Sequence, residues 1–157
     1  MKIYTSLHNR LTNQHLAIVE IIAKIPADRI IISPAVGKWN IHDNLAHLAK
    51  YQIIFIERIN KIVKEDMPHF DRYKAADDPD FEAFQKWSDS DLLTCLHEQR
   101  LKLNKLVFSL SATDLEKIGV HKKYGALNIL QWLEFFVLHE AHHLFTIFQL
   151  ANDTELQ

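Results

Sequence analysis

The sequence predicts an all-α protein, a four-helix bundle with one long crossover connection. Only 3 glycines and 4 prolines occur in 157 residues, whereas average usage of about 7% and 5% would give roughly eleven and eight. This shortage disfavours a turn-rich β sandwich. Four long segments carry apolar residues at helical spacing, and a long irregular segment separates the second from the third. One domain over residues 1–157 is expected for a chain of this length.

The first predicted helix covers residues 5–25 and is followed by Pro26, which ends the pattern. Its apolar residues recur at near-helical spacing: Leu7, Leu11, Ile18, Ile22 and Ile25. The connection after it contains three consecutive isoleucines, Ile30 to Ile32. They would suit a short strand, but the sequence offers no second strand for pairing.

The second helix is predicted over residues 41–64, with Asn40 as its N-cap and Asp43 three positions later. Residues 66–87 follow as a long, largely irregular connection. Its aromatic residues are expected to hold it against the bundle: Phe70, Tyr73, Phe81, Phe84 and Trp87. A connection of this length in a compact domain is often functional.

The third helix is predicted to begin within Ser88–Asp91, where small polar and acidic residues suit the positive end of a helix. Its leucines carry the pattern to about residue 110: Leu92, Leu96, Leu103, Leu106 and Leu110. Thr113–Glu116 then matches a capping box and predicts one short extra turn.

The last helix is predicted over residues 126–151, directly after Gly125. Its only Asp, Glu, Lys or Arg residues are Glu134 and Glu140. A helix that is apolar almost all round is either central in a bundle or partly covered by a partner subunit. We therefore expect a homodimer.

Charge and cysteine content exclude several classes of function. The 18 basic and 20 acidic residues give a net charge of −2, so there is no general electrostatic attraction for nucleic acid. The single cysteine, Cys95, excludes a disulfide framework and a cysteine-rich zinc motif. The sequence contains no signal-peptide core and no transmembrane run. A cytoplasmic protein with no nucleic-acid and no membrane partner is expected.

His139 and His143 are four residues apart, so both side chains lie on one face of the last helix, one turn apart. A buried neutral imidazole needs a hydrogen-bond partner or a metal. Two such rings on one face can share a metal ion; the alternative is a pair of hydrogen-bonded core histidines. His142 can also pair with His139 at i,i+3, so spacing alone does not select the ligands. The face of His139 and His143 carries core-type residues: Trp132, Phe136, Ile147 and Leu150.

The same segment matches the His-Glu-x-x-His signature of zinc metalloproteases, in which Glu140 would be the general base. That site needs a third protein ligand downstream, for which only Asp153 and Glu155 are available. Glu140 also lies about 100° around the helix from the first histidine. Glu140-x-x-His143 matches half of a di-iron carboxylate site, but no second Glu-x-x-His occurs in the chain. Both interpretations are therefore disfavoured.

A third histidine ligand is available on the second helix, where His47 lies beside the apolar stripe. Alone, such a residue is more typical of a structural histidine. His42 falls in the first turn and is expected to be solvated, whereas His15 suits either a ligand or a core residue. The other histidines lie in polar settings without pairing: His8, His69, His97 and His121.

Two ordered motifs resemble the DinB-like, or DNA-damage-inducible, metalloenzyme superfamily. The first runs from Gly37 to Leu48 and resembles the family's Gly-x-Trp helix start that leads to a histidine followed by leucine. The second is Tyr124-Gly125-Ala-Leu-Asn, followed on the last helix by His139-x-x-x-His143. Asn40 stands where many members have serine or threonine, and asparagine also caps helices.

The resemblance implies a DinB-like four-helix bundle and a divalent metal ion, zinc or nickel, held by His47, His139 and His143. Three histidines leave at least one coordination position for water or substrate, as in catalytic zinc sites. Some members resemble transferases or isomerases that use a low-molecular-weight thiol. The expected function is therefore a metal-dependent transferase or hydrolase acting on a small molecule. The alternative is a non-catalytic, stress-related bundle whose metal is structural or absent.

Overall fold

Four long helical segments form the bundle in the computed structural model, which describes residues 2–156 apart from the side chain of Glu155. The helices are α1 (Thr5–Asn13), α2 (Ala17–Ile22), α3 (Ala27–Ile30), α4 (Ile41–Lys64), α5 (Phe81–Phe84), α6 (Asp89–Phe108) and α7 (Ile129–Asn152). A 3-10 turn joins α1 to α2, so these two helices together take the place of one long helix. Because α4 packs against both α6 and α7, the predicted four-helix bundle is confirmed. A single domain over 1–157 stays a prediction.

Two predicted helix bounds are wrong. The first helix does not run unbroken to residue 25, because the 3-10 turn interrupts it and α2 ends at Ile22. At this turn Gln14 donates to the Val137 carbonyl and the Glu140 carboxylate, both at 2.8 Å. The last helix begins at Ile129 rather than 126, because the preceding residues form a strand.

A small three-stranded sheet lies beside the bundle, although the sequence predicted no strand. Its strands are β1 (His69–Phe70), β2 (Ile118–His121) and β3 (Gly125–Asn128). β1 pairs parallel with β2, and β2 pairs antiparallel with β3. The long connection over residues 66–87, here called the crossover, is bonded to β2. The N–H groups of Val120 and Lys122 donate to the carbonyls of Pro68 and Phe70, at 2.8 and 3.0 Å.

Two glycines allow this sheet to form against the bundle. Gly125 has φ +75° at the start of β3, in the left-handed region that favours glycine. Gly119 lies so close to α4 that a Cβ atom there would be 2.7 Å from the Ile62 side chain. The sheet can therefore pack directly on α4 only because position 119 has no side chain.

The predicted helix caps are largely confirmed. Asn40 and Asp43 form a reciprocal capping box at the start of α4, and Ser88 caps α6. The predicted short turn is present as a 3-10 turn, but its cap is not Thr113. The hydroxyl of Ser111 instead accepts the first backbone N–H of that turn. The three isoleucines form no strand, in line with the lack of a partner strand in the sequence, and Ile30 ends α3.

A layer of buried polar side chains crosses the bundle and separates two apolar clusters. On α6, for example, Arg100 lies between Leu96 of one cluster and Leu103 of the other. The buried polar residues of this layer are His15, Asn44, His47, Gln52, Arg100, Glu140 and His143. Buried polar groups cost free energy unless they are bonded, so the partners of these side chains decide what the layer does.

The apolar circumference predicted for the last helix is divided between a buried and a solvent-facing side. Leu138, Phe145 and Phe148 on α7 are 61%, 60% and 50% exposed, while Trp132 and Phe136 are buried in the core. Among the described helices, none combines the length and apolarity needed to cross a membrane.

Candidate metal centre

Three histidines from two helices meet at one end of the polar layer. His47 lies on α4, and His139 and His143 lie one turn apart on α7. Each offers one ring nitrogen, and these three atoms lie within 4.8 Å of one another. The Nε2 atoms of His47 and His139 are 3.2 Å apart. The structure thus brings together the three histidines singled out from the sequence.

Asn44 fixes the orientation and proton position of His143. The Asn44 amide nitrogen donates to the Asn40 carbonyl at 2.7 Å, so the Asn44 Oδ1 atom faces away from that carbonyl. Oδ1 lies 2.8 Å from His143 Nδ1 and must accept its proton. In the neutral ring, Nε2 of His143 therefore carries a free lone pair, which is the form a metal requires.

The donor set fits a divalent metal ion. Among the described residues, the Nδ1 atoms of His47 and His139 are buried ring nitrogens with no hydrogen-bond partner. An unsatisfied buried polar group costs about 1–3 kcal/mol. An ion bound at the Nε2 atoms would leave this cost at Nδ1, so the fit rests on the positions of the Nε2 atoms. Two nitrogens that bind one tetrahedral zinc at about 2.0–2.1 Å lie about 3.3–3.4 Å apart, close to the 3.2 Å between the two Nε2 atoms.

Burial keeps all three rings neutral. It lowers the pKa of His47 to about 2, that of His139 to about 3 and that of His143 to about 4. The charges of neighbouring histidines contribute to each of these lowered values, after burial. Neutral imidazole is the form that binds metal, so the cluster is ready to accept an ion at neutral pH.

We expect the metal-free protein to lose stability as the pH falls from about 6.5 to about 4. Over this interval the unfolded chain protonates these histidines, whereas the folded chain keeps His47 and His139 neutral to about 2 and about 3. The unfolded state therefore binds more protons, and acid favours it. Urea midpoints between pH 7.5 and 4.5 would measure the effect. His47→Ala should flatten the dependence and His8→Ala, at an exposed position, should not; equal slopes in both variants would contradict this account.

Aromatic side chains surround the cluster. The His47 ring lies 5.0 Å from the Trp39 ring and 5.6 Å from the Tyr73 ring, between ring centroids. The Tyr51 ring lies 4.3 Å from that of His139. These rings limit the ways in which the imidazoles can turn, and they shield one side of the cluster from solvent.

A pocket of about 490 Å³ opens onto the histidines. Its walls come from α4, α7, the β2–β3 hairpin and the crossover, including residues 72–76. The long connection predicted to be functional therefore contributes one wall of the site. His142 also lines the pocket and is exposed, with its ring 5.2 Å from that of His143. It lies outside the three-histidine cluster.

Glu140 belongs to a different part of the polar layer. Its carboxylate accepts from the Arg100 guanidinium and from the Gln14 amide, and it is not part of the histidine cluster. The zinc-protease interpretation, with Glu140 as general base, is therefore wrong for this arrangement. Asp153 does not join the cluster, and the side chain of Glu155 lies outside the described residues.

His42 is not solvated as predicted. Its Nδ1 lies 2.6 Å from the Asp89 carboxylate, and its Nε2 lies 2.9 Å from the Gln85 carbonyl. Both partners only accept, so both ring nitrogens donate and the ring is protonated. Burial is the largest single influence and opposes this charge. The hydrogen bonds to Asp89 and Gln85, together with the charges of Asp89 and Asp43, outweigh burial and raise the pKa of His42.

Two other histidines are paired or buried where polar, unpaired settings were expected. His97 Nδ1 lies 3.2 Å from Nε2 of the buried His15, so His15 is a core residue bonded away from the metal cluster. His121 is buried, and its Nδ1 accepts from the backbone N–H groups of Lys123 and Tyr124. The His15–His97 pair joins residues 82 positions apart, and the bonds to His121 depend on a turn. Residue spacing therefore did not reveal either.

Sequence reasoning missed two side chains beside the cluster. Asn44 lies one turn before His47 on α4, a spacing that could have drawn attention to it. Arg58 lies eleven residues after His47, about three full turns, and therefore on the same face of the helix. The periodicity of α4 places both polar side chains near the face of His47, and this spacing is the signal that could have identified them.

Comparisons with known proteins agree with this fold. A family model described as the DinB superfamily matches residues 10–147. Comparison with curated proteins found no match. Among solved structures, the chain is similar to YfiT from Bacillus subtilis, described as a probable metal-dependent hydrolase with an unusual four-helix bundle topology. The TM-score is 0.82 at 16% identity, over 98% of this chain and 91% of that chain. At this identity the likeness supports the fold.

Proposed function

The chain belongs to the DinB superfamily, and we propose that it is a metal-dependent enzyme whose divalent ion is held by His47, His139 and His143. The observation that carries this proposal is the meeting of three neutral imidazoles at the floor of a pocket, with the Nε2 atoms of His47 and His139 3.2 Å apart. Zinc and nickel both suit imidazole ligands. The description of YfiT as a probable metal-dependent hydrolase supports the same class of chemistry.

We propose a transferase or hydrolase reaction on a small molecule, with a low-molecular-weight thiol as one substrate. His47, His139 and His143 would hold a divalent ion, which when bound would supply Lewis-acid chemistry that lowers the pKa of a thiol or water. Asn44 holds a proton on His143 Nδ1 and so keeps Nε2 available. Trp39 and Tyr73 exclude water from one side. The pocket volume of about 490 Å³ suits a small molecule.

Metal analysis and a conjugation assay together test this proposal. Protein purified without added metal is expected to contain, or to take up from added zinc or nickel, about one ion per chain. It should then accelerate the reaction of a small thiol with chlorodinitrobenzene, and chelation should abolish the acceleration. Folded protein that binds neither ion would overturn the proposal. A bound ion without any thiol or hydrolytic chemistry would favour the non-catalytic bundle.

We also propose that α7 forms a homodimer contact through its outer side. Leu138 on that side is 61% exposed, and clustered exposed apolar residues are typical of subunit interfaces. Light scattering after size exclusion should give about twice 18.4 kDa. Leu138→Glu should halve this mass, whereas Leu101→Glu, at a residue of α6 that is 55% exposed, should not. A monomer at tens of micromolar would contradict the proposal.

A further inference from the structure

The pocket above the histidines is lined by cations and by no aspartate or glutamate. Four of its lining residues are Arg58, Arg72, Lys74 and Lys123. Lys74 is paired with Asp77 at 3.3 Å, but no ion pair to the other three is found among the described residues. This excess of positive charge is local, because the chain as a whole carries −2.

We propose that Arg58, Arg72 and Lys123 form an anion-binding subsite beside the metal centre, so that the substrate is a small organic molecule with a carboxylate or phosphate group. This inference deepens the proposed function. It rests on that proposal only for the statement that the neighbouring histidines form a metal centre. The anionic group would bind the cations while another atom of the same molecule reaches the histidine end of the pocket.

Arg58 is the strongest evidence, because it is a buried cation with no ion pair among the described residues. It is only 8% exposed. Its guanidinium packs near the rings of Tyr51, Phe70 and Trp132, at 5.5 to 6.0 Å from their centroids. One nitrogen donates to the Asp71 carbonyl at 2.8 Å. Ring faces and a carbonyl are partial charges, so they do not neutralise the guanidinium. The charge of the Asp71 carboxylate also acts on Arg58, but this carboxylate is exposed and pairs with Lys122 at 2.8 Å.

Among the described residues, the other buried arginine has its charge neutralised by a buried carboxylate. Arg100 is fully buried and is paired with the carboxylate of Glu140 in the bundle core. Buried charges are ordinarily paired in this way. A guanidinium matches a carboxylate or phosphate with two parallel hydrogen bonds, so the missing partner of Arg58 is best supplied by a ligand of that kind.

The three cations come from separate segments and converge on one place. Arg58 lies on α4, Arg72 on the crossover and Lys123 in the β2–β3 turn. Burial lowers the pKa of His121, and the charges of Arg58, Lys123 and Arg72 lower it further, so all three lie near this ring. His121 Nδ1 accepts two backbone N–H groups. The proton of the neutral ring is therefore on Nε2, and His121 is one of the residues that line the pocket.

Aromatic side chains connect this subsite with the metal end of the pocket. Tyr51 lies between them, with its ring 4.3 Å from that of His139 and 6.0 Å from the Arg58 guanidinium. On α7, the Phe135 ring lies 6.4 Å from that of His139 and 5.5 Å from that of His121. A small molecule in the pocket thus meets cations at one end and imidazoles at the other, along apolar walls.

The first test uses metal-free protein and does not depend on the metal. Succinate, inorganic phosphate and neutral succinamide would be titrated at constant ionic strength while backbone amide NMR signals are followed. Saturable shifts at Lys123 and Tyr124 are expected with succinate or phosphate but not with succinamide. Whichever anion binds more tightly identifies the group as carboxylate or phosphate. Equal shifts with succinamide, or no saturation with either anion, would overturn the inference.

Matched variants locate the binding group. Arg58→Gln and Arg72→Gln should each weaken the binding of the preferred anion, about tenfold for the buried Arg58. Arg29→Gln is the control, because Arg29 does not line the pocket. Since Arg58→Gln can also affect folding, Arg72→Gln and Lys123→Gln keep the test decisive. Unchanged affinity in both of these variants would contradict the subsite.

Cobalt-loaded protein separates this inference from the proposed function. The thiolate-to-cobalt absorption band would be titrated with 3-mercaptopropionate and with 2-mercaptoethanol. A preference of about tenfold for the carboxylate thiol is expected, and Arg72→Gln should reduce it without changing cobalt stoichiometry. Equal affinity for both thiols would count against the subsite alone. Failure to bind cobalt, zinc or nickel would count against the metal function, while the anion titrations would still decide the subsite.

Discussion

Replacing His47, His139 or His143 singly with alanine is expected to abolish stoichiometric metal binding and leave the helical circular dichroism spectrum intact. The three candidate ligand nitrogens lie within 4.8 Å of one another, and two imidazoles cannot replace the affinity of three. The bundle should persist because its apolar clusters lie on both sides of the polar layer. Loss of an unpartnered ring nitrogen from His47 or His139 also removes an unfavourable group from the interior.

The neighbouring His142 provides the matched control. It is on the same helix and lines the same pocket, but it is exposed and lies outside the cluster. His142→Ala should therefore retain one ion per chain. Asn44→Ala should give an intermediate result, with metal affinity reduced about 10–100-fold, because it removes the partner that orients His143. Metal loss in His142→Ala together with retention in His143→Ala would show that the ligand assignment is wrong.

Replacing Glu140 with alanine is expected to lower the free energy of unfolding by about 3–5 kcal/mol, because it leaves the buried charge of Arg100 without its partner. Arg100 would keep its bonds to the Gln52 side chain and the Leu11 carbonyl, at 2.9 and 3.0 Å. Neither of these acceptors carries a charge. Urea unfolding followed by circular dichroism would measure the loss.

Glu134 on the same helix is the comparison for this effect. It pairs with Arg10 at 2.7 Å, but both side chains are partly exposed to solvent. Glu134→Ala should therefore cost only about 0–1 kcal/mol. Metal stoichiometry should be normal in both variants. A stable Glu140→Ala protein that has lost only its activity would instead favour a direct role for this carboxylate in the reaction.

The number and order of the long helices could be predicted, because each helix has its own apolar periodicity in the sequence. The apolar stripes of α4 and α6 and the caps at Asn40 and Ser88 are local signals, and the structure confirms them. The small sheet could not be predicted in this way. Its strands have two to four residues, too few for an alternating pattern to be recognised. The pairing of β1 with β2 also joins segments about fifty residues apart.

The candidate site could be predicted in part for a similar reason. The spacing of His139 and His143 is a property of one helix, and the resemblance to a family added His47. The charge of the pocket could not be predicted, because a net charge of −2 averages over the whole surface. The cations Arg58 and Lys123 meet only after the crossover and the hairpin have packed against α4.

Hydrogen exchange at the backbone bonds between β1 and β2 can report motion of the pocket wall. Two backbone amides, those of Val120 and Lys122, are bonded to the crossover. If the crossover swings away while the helices remain folded, these two protons become open to exchange with deuterium. Amides in the middle of α4 exchange only through larger openings of the bundle. A faster exchange at these two amides than in α4 would therefore measure how often the crossover separates from β2 in an otherwise folded protein.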